Sequence, residues 1–437
     1  MIPYNQLSLA DIFSDCQEKF ENDKYLFLSL LENNIDLDEF IPFSFRNHFY
    51  ASTGCHRKYP LTGFIWALLL QRIFSIPTDS LLIIFLKYSR ELRDFCAFSK
   101  VPDASKFTRF KQDFLLDLQS MFDNLVDVTE PICHSIDTEL AYMTIFDTSG
   151  IEAFVTENNP KYANQIIKQL KAFKKANHLD NSYDPYKAAY GSMPSHATAN
   201  PAIKQLYING HFCYVFKFGI ITNGLGIVRN ISFYNKDFLG DSAFDTVEIY
   251  KALFHDLHFQ KAYIPLNSRS HLENVDYTIN TDGIPCCPHD STLPMKPEGN
   301  TSHLRCGIPT FKFVCPKMTF QKCEDGKYRR RHNCYDPCTS SPCGRMIYIY
   351  PEKDLRAYPG TIRGTEEWNK TYKIRSVVEK DINHFKDNYC LSGRRTQNEK
   401  ILHADLLLAG ITQLITVVLA DKIQKHQYIR SLKPLIT

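Results

Sequence analysis

The stretch from Tyr372 to Lys386 places four polar residues of different chemistry at helical spacing. It reads Tyr-Lys-Ile-Arg-Ser-Val-Val-Glu-Lys-Asp-Ile-Asn-His-Phe-Lys. On an α-helix of about 3.6 residues per turn, Tyr372, Arg375, Glu379 and Lys386 share one face. The carboxylate can hold a divalent cation, while the other three groups contact phosphate oxygens. A solvated helix face with an Arg–Glu pair one turn apart is the alternative interpretation.

This pattern, Tyr-x2-Arg-x3-Glu-x6-Lys, resembles the signature around the last acidic residue of insertion-sequence DDE transposases. The resemblance covers most of residues 55–430 and is most specific in the helix from Tyr372. It implies an α/β fold with an RNase H-like mixed sheet flanked by helices. It also implies two aspartates at strand ends elsewhere in the chain.

Two segments supply candidate aspartates. In the segment Ala141-Tyr-Met-Thr-Ile-Phe-Asp147, the residues alternate in a pattern that predicts a β-strand. The segment ends at Asp147, before small residues that are typical of a turn. A plain Asx turn closing a strand is the alternative for Asp147. A second short apolar strand ends at Asp241, which resembles the family's second catalytic aspartate. We assign Asp241 to the site and Asp245 to the N-cap of the following helix, and an exchange of these two roles is the alternative.

Two strands, Tyr207 to Ile220 and Leu225 to Tyr234, are predicted to form a hairpin around Asn223-Gly224. With the Asp147 strand they would form the first three antiparallel strands of the sheet. The chain departs from the family immediately afterwards. Only residues 235–237 separate the hairpin from the next strand, and a parallel strand needs a crossover of about a dozen residues or more. The catalytic activity of this copy is therefore open.

The resemblance implies a catalytic site formed by Asp147, Asp241 and Glu379, which would bind two Mg²⁺ (or Mn²⁺) ions. Hard oxygen ligands and a phosphate substrate favour those ions. Two metals about 4 Å apart can activate an attacking oxygen and stabilise the leaving oxygen of DNA. Tyr372, Arg375 and Lys386 would bind DNA phosphates.

The N-terminal third of the chain predicts several short helices joined by tight turns. Pro60 precedes an apolar helix over Leu61 to Ile73, and Thr78 or Asp79 caps a helix ending at Tyr88. Pro102 to Ser105 reads as a turn and N-cap. This pattern favours a helix-turn-helix-like DNA-binding module, with Lys106, Arg109 and Lys111 facing phosphates. A plain helical bundle with solvated lysines is the alternative.

Eight of the fourteen cysteines lie between Cys286 and Cys343, a segment rich in Pro and Gly. In a reducing compartment, such a loop-rich segment is typically stabilised by zinc that cysteines bind. The candidate ligands are Cys315, Cys323, Cys334, Cys338 and Cys343. Their spacings lack the tight pairs of ordinary zinc fingers, so free buried thiols in an irregular β insertion stay an alternative.

Composition excludes few classes. The net charge of +3 and the 44% apolar content describe an ordinary globular protein, so DNA contacts must come from local basic patches. No signal peptide is recognised, and the apolar stretch Leu406 to Ala420 predicts a buried helix rather than a membrane span. We expect a cytoplasmic, nucleoid-associated protein without membrane contact.

We predict four segments. Residues 1–135 form a helical DNA-binding domain, and residues 136–275 form the first part of the core, with a polar insertion over 155–206. Residues 276–345 are the Cys-rich β and loop insertion, and residues 346–437 complete the core with the Glu-bearing and C-terminal helices.

The predicted function is transposition: metal-dependent endonuclease cleavage and strand transfer at insertion-sequence ends, by a homodimer when DNA is bound. A catalytically inactive transposase remnant that only binds DNA is one alternative. A zinc-stabilised nucleic-acid-binding protein with purely structural acidic residues is the other.

Overall fold

A computed structural model describes residues 26–51, 56–180, 182–208, 211–233, 244–259, 261–267, 277–280, 284–302, 309–350, 355–356, 359–361, 363–393 and 396–436. The chain divides into two compact units. The first joins Met1–Lys236 to Val377–Thr437, and the second is Asp237–Ser376. The four-segment division drawn from the sequence stays a prediction beside these units.

The protein mixes helices with small sheets. Its α-helices are α1 (Leu26–Asn34), α2 (Phe43–Phe49), α3 (Leu61–Ile73), α4 (Asp79–Tyr88), α5 (Arg90–Phe95), α6 (Ala104–Asp113), α7 (Leu115–Ile136), α8 (Thr138–Ala141), α9 (Pro160–Ala176), α10 (Pro185–Ser192), α11 (Val247–Lys251), α12 (Glu366–Tyr372), α13 (Ser376–Asn383), α14 (Glu399–Lys422) and α15 (Lys433–Ile436). Its strands are β1 (Ile145–Glu152), β2 (Lys204–Ile208), β3 (His211–Thr222), β4 (Val228–Phe233), β5 (Cys286–Cys287), β6 (Asp290–Pro294), β7 (Lys296–Ser302), β8 (Pro309–Val314), β9 (Met318–Lys322), β10 (Tyr328–His332) and β11 (Met346–Ile349).

The N-terminal helices begin where local capping chemistry places them. Pro60 directly precedes α3. The Thr78 hydroxyl accepts the Leu81 N–H at the start of α4, and the Asp103 carboxylate accepts the Lys106 N–H at the start of α6. Each cap satisfies a donor that the first helical turn leaves without an internal partner. The predicted helix starts in this region are confirmed.

A buried ion network fastens these helices to α14. Asp405 of α14 lies 2.8 Å from the Arg72 guanidinium and 2.9 Å from the Lys111 ammonium, and Lys111 is also 2.9 Å from Asp79. The Arg72 and Lys111 side chains are fully buried. The prediction that Lys111 faces DNA phosphates is therefore wrong, because this lysine neutralises two carboxylates inside the first unit.

Helix α14 is the central core helix of the first unit. It is long and apolar enough by composition to cross a membrane, yet 89% of its apolar window is buried inside the protein. Its Gln413 side chain accepts the Val228 N–H and donates to the Gly226 carbonyl, which fixes it against the start of β4. The predicted buried helix is confirmed.

The sheet of the first unit is built around β3. Strand β1 pairs antiparallel with β3 from Ile145↔Thr222 to Glu152↔Val215. Strand β2 pairs with the first part of β3 and β4 with its end, both antiparallel. The β3–β4 connection is a turn in which the Asn223 carboxamide oxygen accepts the Leu225 and Ile227 N–H groups. The hairpin predicted from Asn223-Gly224 is confirmed. The single strand predicted from Tyr207 to Ile220 is wrong, because β2 ends at Ile208, which pairs antiparallel with His211 at the start of β3.

Strand β1 lies later in the chain than predicted. Residues up to Ala141 are helical, and Asp147 is the third residue of the strand rather than its end. Ser149 and Gly150 resemble turn residues in sequence, but they pair with Phe218 and Lys217 of β3. Strand pairing overrides the weak β-propensity of such residues.

The second unit contains several small antiparallel sheets. Strands β7, β8 and β11 form one sheet with β8 in the middle, while β9 pairs with β10 and β5 with β6. The apolar clusters among its described residues are small. One consists of Met295, Phe313, Ile347 and Ile349, and another of Val314, Cys315 and Met318.

Candidate active site

Asp147 and Lys386 are brought together in the first unit. The Lys386 ammonium donates to the Ser149 hydroxyl at 2.7 Å, two residues beyond Asp147 on β1. Residues two apart on a strand face the same side of the sheet. The carboxylates of Asp387, Glu152 and Asp147 all favour the charged form of Lys386, but burial is the largest effect and lowers its pKa.

Asp147 itself is half-buried and held locally. One carboxylate oxygen accepts the Thr148 N–H at 2.8 Å. Its position on β1 is fixed by the pairing with Ile220 of the central strand. A carboxylate on a paired strand is rigidly placed, as a metal ligand or a general base must be.

Glu379 belongs to the first unit and is exposed on α13. The segment around it is not one uniform α-helix. Lys373–Arg375 form a 3₁₀ turn before α13, and His384–Asn388 form a π-helical turn after it. A 3₁₀ turn has about 3 residues, and a π-helical turn has more than the 3.6 residues of an α-helix. The shared face predicted for Tyr372, Arg375, Glu379 and Lys386 on an ideal α-helix therefore does not follow from their spacing alone.

Tyr372 and Arg375 belong to the second unit. The Arg375 guanidinium lies 5.8 Å from the centre of the Tyr372 ring, a cation–π distance. Tyr372 also stacks on Trp368 with ring centres 4.7 Å apart. Their assignment as phosphate-binding residues stays a prediction.

Asp241 lies outside the residues that the structure describes. Asp245 is described, and its predicted role as a helix N-cap is wrong. The Thr246 hydroxyl caps α11 instead. The Asp245 carboxylate is buried, accepts the Tyr250 hydroxyl and the Asn267 N–H, and pairs with Arg356 at 2.8 Å.

Arg363 is a second buried arginine beside this carboxylate, and its guanidinium lies 3.5 Å from an Asp245 oxygen. Both oxygens of the carboxylate are therefore already engaged by protein donors. The described geometry gives Asp245 an anchoring role in the second unit. This disfavours exchanging the roles of Asp241 and Asp245.

Sequence reasoning missed Asp381, a buried carboxyl two residues after Glu379. One of its oxygens is buried and has no hydrogen-bond partner among the described residues. Burial raises its pKa to about 8, against the opposing charge of Arg430. In the same segment, burial lowers the pKa of His384 to about 4. No local pattern separates Asp381 from an exposed helical aspartate, because only tertiary packing buries it.

An open cavity of about 920 Å³ also lies in the first unit. It is lined by residues of α6, of the loops after β1 and before β2, and of the start of α14 with the residues just before it, including Asp113, Phe154, Asn200, Gln397 and Lys400. The predicted catalytic residues do not contribute to this lining. Nowhere in the described ranges do three His, Cys, Asp or Glu side chains stand close enough together to hold a metal ion.

Residues 14–113 match the family model described as a transposase domain (DUF772), which covers under a quarter of the chain. This part of the chain is therefore similar to a transposase domain. No curated protein and no solved structure gave a significant match.

Proposed function

We propose that this protein is a DDE transposase of insertion-sequence type, with an RNase H-like catalytic core. It would cleave DNA at the ends of its element and join them to a target. The observation that carries this proposal is the bond from Lys386 to Ser149. It ties the segment bearing the Tyr-Arg-Glu-Lys signature to the strand bearing Asp147.

Asp147 and Glu379 are the described members of the proposed acidic set. Their carboxylates are the hard oxygen donors that Mg²⁺ or Mn²⁺ prefers. The metal ions would supply activation of the attacking oxygen and stabilisation of the leaving oxygen. In the described geometry, the Lys386 ammonium already balances negative charge beside Asp147.

The transposase-domain match supports DNA as the partner. We propose that the element ends are held by a homodimer, and that the protein acts on DNA in the cytoplasm without membrane contact. The helices of residues 26–113 would contribute a DNA-binding surface. On α6, Arg109 is exposed, and its side chain bonds only to Ser105 of the same helix among the described partners.

The phosphate-binding role of Lys386 can be tested by DNA binding at several salt concentrations. We expect Lys386→Gln to weaken binding to DNA carrying the element ends and to reduce the salt dependence by about one released ion. Lys380→Gln is the matched control, because Lys380 is exposed on the same segment. Equal affinities for Lys386→Gln and wild type, with the fold intact by circular dichroism, would remove Lys386 from the DNA-binding set.

A further inference from the structure

Four cysteines of the second unit surround one atom-sized cavity. Its volume is about 10 Å³, close to the space that a single water molecule requires. The cysteines among its lining residues are Cys287, Cys315, Cys334 and Cys338, and His332 lines it as well. All four cysteines are free thiols.

The fold brings these cysteines together from three separate places. Cys287 ends β5, Cys315 follows β8, and the other two lie in the loop after β10. The Cys315 carbonyl accepts the Met318 N–H at 3.0 Å, so the chain turns tightly at this cysteine. Cys338 forms a side-chain hydrogen bond with Cys287, and Cys315 is close enough to act on it electrostatically.

Gly344 allows this close packing. Its φ of +78° suits glycine, and a Cβ there would lie 3.0 Å from the Cys315 Cβ and 3.2 Å from the His332 Cβ. The His332 Nδ1 atom is buried and lacks a hydrogen-bond partner among the described residues. A buried polar atom without a partner is costly, so its presence beside four thiols points to a missing ligand.

A cationic side chain also lines the cavity. Lys317 Nζ lies 3.9 Å from the Cys334 sulfur. Its positive charge would offset part of the net negative charge of a zinc ion bound by four thiolates. Among the described residues of the second unit, the apolar clusters contain only a few residues each. A small module with so little apolar core commonly depends on a metal or another staple.

We propose that Cys287, Cys315, Cys334 and Cys338 bind a structural zinc ion, with His332 beside it. Four thiolates match the closed tetrahedral coordination of structural zinc. No three of these groups stand at metal-ligand spacing in the described geometry. Binding would therefore require these side chains to move closer together.

This ligand set differs from the one predicted from sequence. Cys287 joins it, while Cys323 and Cys343 do not line the cavity. Cys323 follows Lys322, which pairs with Tyr328 at the turn end of the β9–β10 hairpin. The cavity adjoins the opposite end of that hairpin, where His332 pairs with Met318.

The test is zinc content of the purified full-length protein by mass spectrometry, which is independent of any DNA cleavage. We expect one zinc ion per chain in wild type. Cys287→Ser and Cys338→Ser should each lose most of it, whereas the matched controls Cys323→Ser and Cys343→Ser should retain it. Wild-type protein that takes up no zinc, or equal zinc in Cys287→Ser and wild type, would overturn the proposal.

A second measurement covers the case in which the serine variants fail to fold. The intact wild-type protein is titrated with an organomercurial while a dye reports released zinc. We expect zinc release to follow the reaction of four thiols. In the cobalt-substituted protein, the visible absorption should be that of tetrahedral thiolate coordination. Zinc release without thiol reaction, or an octahedral cobalt spectrum, would contradict the assignment.

Discussion

Each of the two units of this protein is stabilised internally by a different set of contacts. The first contains one extensive apolar core, which runs from Phe27 to Leu432, and a buried ion network centred on Asp405. Among the described residues of the second, the apolar clusters contain only a few residues each, beside a buried Asp245–arginine network and a cavity that four cysteines line. In the part of the chain that the structure describes, the first unit is therefore stabilised mainly by hydrophobic burial, whereas the second relies more on specific polar contacts.

The chain provides a separate reporter for each unit. It has two tryptophans, Trp66 on α3 in the first unit and Trp368 on α12 in the second. Both side chains are largely buried. Trp66→Phe and Trp368→Phe variants therefore give fluorescence signals from one unit at a time, which makes the predictions below specific to a unit.

The largest expected effect comes from breaking the buried ion network. Asp405→Ala removes the carboxylate that lies 2.8 Å from the buried Arg72 guanidinium and 2.9 Å from the buried Lys111 ammonium. Removing one member of a buried pair typically costs about 3–5 kcal/mol. We expect a loss of that size in the free energy of unfolding of the first unit, measured by denaturant titration of Trp66 fluorescence.

The control for this variant is Asp94→Ala, which removes an exposed pair with Arg90. Exposed pairs of this kind contribute about 0–1 kcal/mol. A similar small loss for Asp405→Ala would mean that the network contributes little to the first unit. The Trp368 signal should be less affected by Asp405→Ala than the Trp66 signal.

A smaller effect is expected from a glycine in each unit. Two glycines have nearly the same positive φ: Gly226 of the first unit at +77° and Gly326 of the second at +75°. A Cβ at Gly226 would lie 2.6 Å from Val377 and 2.9 Å from Asp381, while nothing lies within 4 Å at Gly326. Gly326→Ala carries only the backbone cost of about 1–2 kcal/mol.

Gly226→Ala adds overpacking to the same backbone cost, typically about 1–3 kcal/mol more. We therefore expect Gly226→Ala to lower the denaturation midpoint of the first unit by more than Gly326→Ala lowers that of the second. An equal decrease of the denaturation midpoint in the two variants would contradict this expectation. It would show that the first unit relaxes around the new methyl group at Gly226.

The smallest expected effect is a pH dependence of the first unit. The pKa of Asp381 is raised to about 8 by burial, from an ordinary value of 3.8. The native state then binds an extra proton between these values, so stability falls as pH rises, by up to about 1.4 kcal/mol per pH unit. His384, with its pKa lowered to about 4, has the opposite slope between pH 4 and 6.5.

The two slopes oppose each other below pH 6.5, so the Asp381 slope is isolated between about pH 6.5 and 8. Groups near this segment include Arg430 and Tyr389 beside Asp381 and Lys433 beside His384. We expect Asp381→Asn to flatten the decline in stability over this range, measured by urea midpoints of Trp66 fluorescence. An unchanged decline in the variant would assign it to other groups.

Local signals in the sequence predicted local structure well. Pro60, Thr78 and Asp103 set helix starts, and Asn223-Gly224 set the hairpin, because caps and turns depend on residues only a few positions apart. The burial of Lys111, the strand pairing of Ser149 and the buried state of Asp381 depend on contacts with distant parts of the chain. No pattern of neighbouring residues carries that information.

The candidate sites could likewise be predicted from the sequence only in part. The sequence singled out Asp147 and Lys386, and the structure brings Lys386 to the strand of Asp147. It also singled out the cysteine-rich segment, but the cavity selects Cys287 in place of Cys323 and Cys343. Spacing along the chain cannot show which cysteines converge when hairpins lie between them.

The most direct test of the central claim is Mn²⁺-dependent cleavage of DNA that carries the flanking ends of this protein's own locus. Wild-type protein should nick this DNA only with the metal present. Asp147→Asn should bind the DNA equally well without cutting it, while Asp123→Asn, an exposed change on α7, should cut like wild type. Cleavage by Asp147→Asn at the wild-type rate, or metal-independent cutting by wild type, would contradict the account.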